Sequence, residues 1–149
     1  MILDLGNITH TTDRARKIRD AIFTSFEGLL TSVKKVRVAY IIWKDPYMTA
    51  GSDTFINSML AAAGFENAFK DRKRYPEVTI DELKNSGCEV LLLSSEPYPF
   101  KQEEADFLQT KFRSSKILFV DGTYFSWYGS RMKEAFQYLS NLRKTSVIN

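Results

Sequence analysis

One cysteine, Cys88, and one histidine, His10, occur in 149 residues. A single thiol cannot close an intrachain disulfide, so cysteine usage leaves the redox compartment open. Cys88 stands beside an apolar stretch and reads as a buried, inert thiol. One His with one distant Cys makes neither a zinc site nor a nucleophile–base pair, and His10 reads as a solvated residue ahead of a helix. No Gly-rich phosphate fingerprint, nucleotide-loop Lys-Ser/Thr pair or serine elbow is present. No apolar run approaches the length of a membrane span, and MILDLGNITH lacks the basic start and long apolar core of a secretory signal. Charge of one sign is not in excess: 21 basic residues face 18 acidic ones, for a net charge of +3, too balanced for a nucleic-acid surface. With only four prolines and seven glycines against 44% hydrophobic residues, the composition is globular rather than disordered.

What is present is enough for one domain with a sizeable core and too little for two ordinary ones. The chain is organised around RVAYIIWKDPYMTAGSDTF, residues 37–55. Val36, Val38, Ala39, Tyr40, Ile41 and Ile42 have the composition of a strand buried on both faces of a parallel sheet. Trp43 to Thr49, holding Pro46, turns the chain at the strand's carboxyl end. Ser52 or Asp53 is positioned to cap a helix running to Ala63 and stopped by Gly64. Upstream, Gly6 reads as a helix stop, and the spacing of Ala15, Ile18, Ile22, Phe26 and Leu29 predicts an amphipathic helix over Thr12 to Ser32. At about 20 residues that helix would reach roughly 30 Å.

Downstream, Phe65 to Phe69 reads as a small strand or turn, and DRKRYPEVT as loop. Thr79 and Glu82 have capping-box spacing. Val90 to Leu93 reads as a second buried strand and Ile117 to Val120 as a third strand, with a helix from Glu103 to Phe112 between them and a last helix from about Ser126 to Leu142. Alternating strands and helices predict an α/β fold, a three-layer domain around a mainly parallel sheet.

Loops at the strand ends concentrate aromatic side chains: Trp43, Tyr47, Met48, Tyr75, Tyr98, Tyr124, Trp127 and Tyr128, with Phe100, Phe125 and Glu96 beside them. Ligands of open α/β sheets bind outside the carboxyl ends of strands, and exposed apolar patches mark binding sites. Closing the core over the strand ends is the plainer use of the same rings. Asp45, Asp53, Glu96 and Asp121 leave open an enzyme domain with carboxylates at the strand ends, and the aromatic edge leaves open a protein-interaction module.

Four colinear stretches, WKDPYMTAGSDTFINSMLAAAGFENAF, RYPEVTIDEL, VLLLSSEPYPF and VDGTYFSWYGSR, resemble the second lobe of the helical-backbone substrate-binding proteins of ABC importers for cobalamin, ferric siderophores or haem. The resemblance covers roughly residues 36–143. It implies that residues 1–35 are the end of a missing first lobe and an inter-lobe backbone helix, and that 36–149 form the C-terminal substrate-binding lobe. On this footing the chain is a fragment of a two-lobed, extracytoplasmic (periplasmic or membrane-anchored) protein that performs no catalysis, has no metal site or cofactor of its own, and passes a metal chelate to a membrane permease. The aromatic edge would hold the ligand, with Tyr75 of RYPEV in the place of a ligand-facing aromatic, and Trp127 where relatives often carry a charged residue. Asp81, with Glu82 as neighbour and runner-up, falls where such lobes expose an acid that docks on permease arginines. Acids in a helix first turn are also favoured by the macrodipole alone.

Overall fold

Strand β1 (Val36–Trp43) lies inside the sheet and is buried over nearly all its length. The computed structural model describes residues 1–27 and 35–147. Along one side of β1 runs β4 (Val90–Ser94), parallel and in register Val38 to Val90 through Ile41 to Leu93, and β5 (Lys116–Val120) continues the sheet in parallel beyond it. Along the other side β3 (Phe65–Asn67) pairs in parallel with the start of β1, and β2 (Met48–Thr49) folds back antiparallel on its end.

Alternation in these strands divides the core into two layers. Val38, Tyr40, Val90, Leu92 and Val120 face α3 (Phe55–Ala62), α6 (Thr123–Ser126) and α7 (Met132–Val147) through Met59, Leu60, Phe125, Ala135 and Leu139. Ala39, Ile41, Leu91 and Leu93 face α4 (Ile80–Asn85) and α5 (Gln102–Lys111) through Leu83, Ala105 and Leu108. Each fully buried aliphatic side chain contributes on the order of 1.5–3 kcal/mol of transfer free energy. The expected α/β three-layer domain with a mainly parallel sheet is the fold observed.

The amino-terminal part departs from expectation at Gly6. It does not stop a helix but sits inside α1 (Ile2–Ile8), where a Cβ would come within 2.4 Å of the Ala15 Cβ. The missing side chain is what lets α1 cross closely over α2 (Thr12–Glu27). The remaining stretch of the expected helix, to Ser32, lies outside the described residues.

Two further boundaries move. Thr54, not Ser52 or Asp53, caps α3 by accepting the Asn57 N–H at 3.1 Å. Asp53 instead accepts the backbone N–H of Arg74, and the Ser52 hydroxyl donates to the Arg72 carbonyl. The single helix expected from Ser126 is divided: Trp127 is extended (φ −96°, ψ 130°), Gly129 has φ +88°, and a 3₁₀ turn at Gly129–Arg131 precedes α7. The capping box of Thr79 and Glu82 is formed as its spacing predicts.

Candidate functional site

A cavity of about 570 Å³ opens at the carboxyl ends of the parallel strands. Its residues arrive from six places: Tyr40, Ile42 and Trp43 from β1, Met48 from β2, Ile56 from α3, Tyr75 from the loop before α4, Ser94, Glu96 and Pro97 from the end of β4 and the turn after it, and Gly122 and Ser126 from the segment after β5. Parallel registers bring these ends level, since Ile41 faces Leu93 and Ser94 faces Val120. The Tyr75 loop is strapped to β2 by the bonds from Thr49 N–H to the Pro76 carbonyl (3.1 Å) and from Val78 N–H to the Tyr47 carbonyl (2.8 Å). That strap places Tyr75, 45% exposed, on the same cavity as Trp43, 40% exposed.

The polar part of the lining is a chain of hydroxyls. The Ser94 hydroxyl donates to the Glu96 carbonyl at 2.6 Å, so the Tyr40 hydroxyl, 3.1 Å away, donates to Ser94 Oγ. Burial drives the Tyr40 phenol far above its usual pKa, and the bond with Ser94 only partly offsets it. Tyr40 is therefore a neutral donor on the cavity wall. The Ser126 hydroxyl donates to one oxygen of Glu96. The rest of the lining is mostly apolar.

Of the aromatic-edge residues, Trp43, Met48 and Tyr75 line the cavity together. Tyr47 and Tyr98 pack instead on the core of the opposite sheet face; Tyr98 donates to Glu104 at 3.1 Å and meets Trp43 edge-on at 5.6 Å. Tyr124 stacks on Tyr138 at 4.3 Å. Trp127 and Tyr128, each 57% exposed, ride on the turn after α6, Tyr128 against Phe55 at 4.1 Å and Trp127 within 5.9 Å of the Arg131 guanidinium. Phe100 and Phe125 are core residues.

Sequence reasoning placed Tyr40, Ile42 and Ile56 in the core and passed over Ser94, Pro97, Gly122 and Ser126 as site residues. Small residues at two strand ends, SerSer after β4 and AspGly after β5, were the available signal for the wall.

The four carboxylates do not assemble at the cavity. Glu96 lines it; Asp121 is engaged by the N–H (3.0 Å) and hydroxyl (2.7 Å) of Thr123, Asp53 by the Arg74 N–H, and exposed Asp45 lies 3.8 Å from the Lys44 ammonium. No group of three His, Cys, Asp or Glu able to hold a metal ion occurs among the described residues. At the start of α4, Asp81 is 86% exposed with only a 3.7 Å pair to Lys84. Glu82 is engaged by the Arg72 guanidinium and by the Thr79 cap, which hold its carboxyl down to about 2.

The crevice lies outside the carboxyl ends of the strands, where open α/β sheets take up ligands, and is lined by exposed aromatics and a few hydroxyls. No family model and no curated protein matches the sequence. Solved structures do match. A Staphylococcus epidermidis protein described as a possible iron-binding, periplasmic solute-binding protein aligns with TM-score 0.78 and 20% identity, over 99% of this chain and 60% of that one. The periplasmic heme-binding protein HutB of Vibrio cholerae gives 0.76 and 17%, over 93% and 60%. An ABC-type Fe³⁺-hydroxamate transport system from Saccharomonospora viridis gives 0.70 and 16%, over 94% and 52%. The chain thus spans about 60% of the length of the first two structures. Its fold is that of a single lobe of such ABC-type periplasmic binding proteins. Among the described residues no helix is long and apolar enough to cross a membrane.

Proposed function

We propose that this chain is the ligand-binding lobe of an extracytoplasmic substrate-binding protein that captures a metal chelate (a corrinoid, haem or ferric siderophore) and delivers it to an ABC permease without chemical change. The observation that carries the reading is the cavity at the strand ends with Trp43, Met48 and Tyr75 on its wall. Flat or compact chelates suit such a wall, because aromatic faces supply large apolar contact and stacking at low conformational cost. Names of structures with the same fold, which refer to iron, heme and Fe³⁺-hydroxamate, support that class of ligand.

In this reading α2 belongs to the connection towards a first lobe that completes the site, so the chain alone binds weakly. Tyr47, Tyr98 and Tyr124 brace the rim from beneath, and Trp127 and Tyr128 extend the contact surface beyond the cavity. Asp81 is the docking acid for the permease; Glu82, engaged by Arg72 and the helix cap, is its support.

The test is tryptophan fluorescence of the purified chain, titrated with cyanocobalamin, haemin and a ferric hydroxamate and corrected for inner-filter absorption. Saturable quenching by one ligand, lost in the Trp43→Phe, Tyr75→Ala double variant, is the expected result. A carrier whose quenching is unaffected by the double variant binds elsewhere, and the reading fails.

A further inference from the structure

Among the described residues, Glu96 is the one charged residue lining the cavity. Its position is fixed from three directions. The Glu96 N–H reaches Ser94 Oγ at 3.3 Å and its carbonyl accepts the Ser94 hydroxyl at 2.6 Å. Gly122 leaves the space its side chain fills, since a Cβ there would lie 2.6 Å from the Glu96 Cγ. Ser126 donates to Oε1. Among the described residues no Lys, Arg or His forms an ion pair with this carboxylate. Among the described residues its one side-chain donor is the neutral Ser126 hydroxyl.

The other acids at this end of the sheet are differently placed, Asp53 and Asp121 on local donors and Asp45 beside Lys44. A carboxylate held still in a mostly apolar wall gains most from a donor that brings positive charge, and it repels an anionic group more strongly than it would in open water.

We infer that Glu96 selects chelates whose periphery presents an ammonium or other cationic N–H donor, over chelates rimmed with carboxylates. This rests on the reading of the cavity as the ligand site. The experiment is isothermal titration of the 149-residue chain and of Glu96→Gln with two probes. They are ferrioxamine B, a ferric trihydroxamate bearing one primary ammonium, and its N-acetyl derivative, which is neutral there. The chain binds the ammonium form about tenfold tighter, the effect of one charge-assisted hydrogen bond. In Glu96→Gln, which keeps the shape and the Ser126 contact, the ratio falls to about one.

Equal affinities in the unsubstituted chain, or a preference that survives in Glu96→Gln, overturn the inference. So does failure of both ferrioxamines to bind. In that case saturable binding of haemin or cyanocobalamin in parallel runs leaves the cavity reading standing, and failure of all four, both with this chain and with a two-lobed protein that contains it, overturns both.

Discussion

Gly122→Ala tests whether the cavity wall is as tightly interlocked as its contacts require. Gly122 has helical backbone angles (φ −58°, ψ −24°), so alanine meets no conformational penalty and the whole cost is steric. The added Cβ would lie 2.5 Å from Ser94 Oγ and 2.6 Å from Glu96 Cγ. Carbon contacts are comfortable near 3.5–4.0 Å, so these groups must give by about 1 Å. Ser94 is 1% exposed and held by Tyr40 and by both backbone groups of Glu96, which leaves it nowhere to go. Overpacking of this kind costs about 1–3 kcal/mol, against a gain of about 0.4–1 kcal/mol from the stiffer unfolded chain. The net loss, about 1.3 kcal/mol at the middle of these ranges and about 2.6 kcal/mol at most, should lower the melting temperature by roughly 3–5 °C at that midpoint for a chain of this size, read by circular dichroism. Chelate binding should weaken in parallel, because Glu96 is displaced. Gly87→Ala is the comparison: with φ +67° and nothing within 4 Å of its Cβ, it should lose about 1 kcal/mol through backbone strain alone and leave binding unchanged. An unchanged or raised melting temperature for Gly122→Ala would refute the reasoning.

Leu92→Ala, at a fully buried position in the central layer, should cost about 2–5 kcal/mol, measured as a lowered urea midpoint at constant slope. Glu82 has its carboxyl depressed from 4.5 to about 2, by the Arg72 guanidinium first and the Thr79 cap second, so the folded state holds fewer protons there than the unfolded state. Its contribution is present above about pH 4.5 and lost as the pH falls towards 2; Glu82→Gln should flatten stability against pH in that window and nowhere else. Asp81→Lys should leave ligand titrations unchanged while reducing uptake by a reconstituted permease several-fold, through like-charge repulsion at the docking face. Normal uptake with Asp81→Lys would remove the docking role from this residue.

Local pattern carried the strands and most helices because their signals repeat within one element. Val90 to Leu93 reads as a buried strand from composition alone, and Thr79 with Glu82 forms a capping box from two residues three apart. Gly6 misled for a different reason. A glycine near a helix end and a glycine under a crossing helix look identical in sequence, and only the 2.4 Å approach to Ala15 separates them. Thr54 displaced Ser52 and Asp53 as the cap because those two are engaged by the 72–74 loop, about 20 residues downstream and outside any local window.

The site follows the same division. That aromatics would gather at one end of the sheet is legible, since each lies next to a strand's carboxyl end. Which of them share the cavity is not, because a loop has no period to orient its side chains. Tyr47 and Met48 are consecutive, yet the back-pairing of β2 on β1 puts Met48 on the cavity and leaves Tyr47 packed on the other core. Tyr40 reads as a core residue and is one, with its hydroxyl bonded to Ser94 beneath the cavity. The polar wall joins β1, β4 and the turn after β5, segments 54 and about 80 residues from Tyr40. Parallel registers set that meeting, and each connection between parallel neighbours must leave the sheet and return. A single substitution at Gly122 therefore bears on three strand ends at once, although the AspGly pair in the sequence points only to its own strand end.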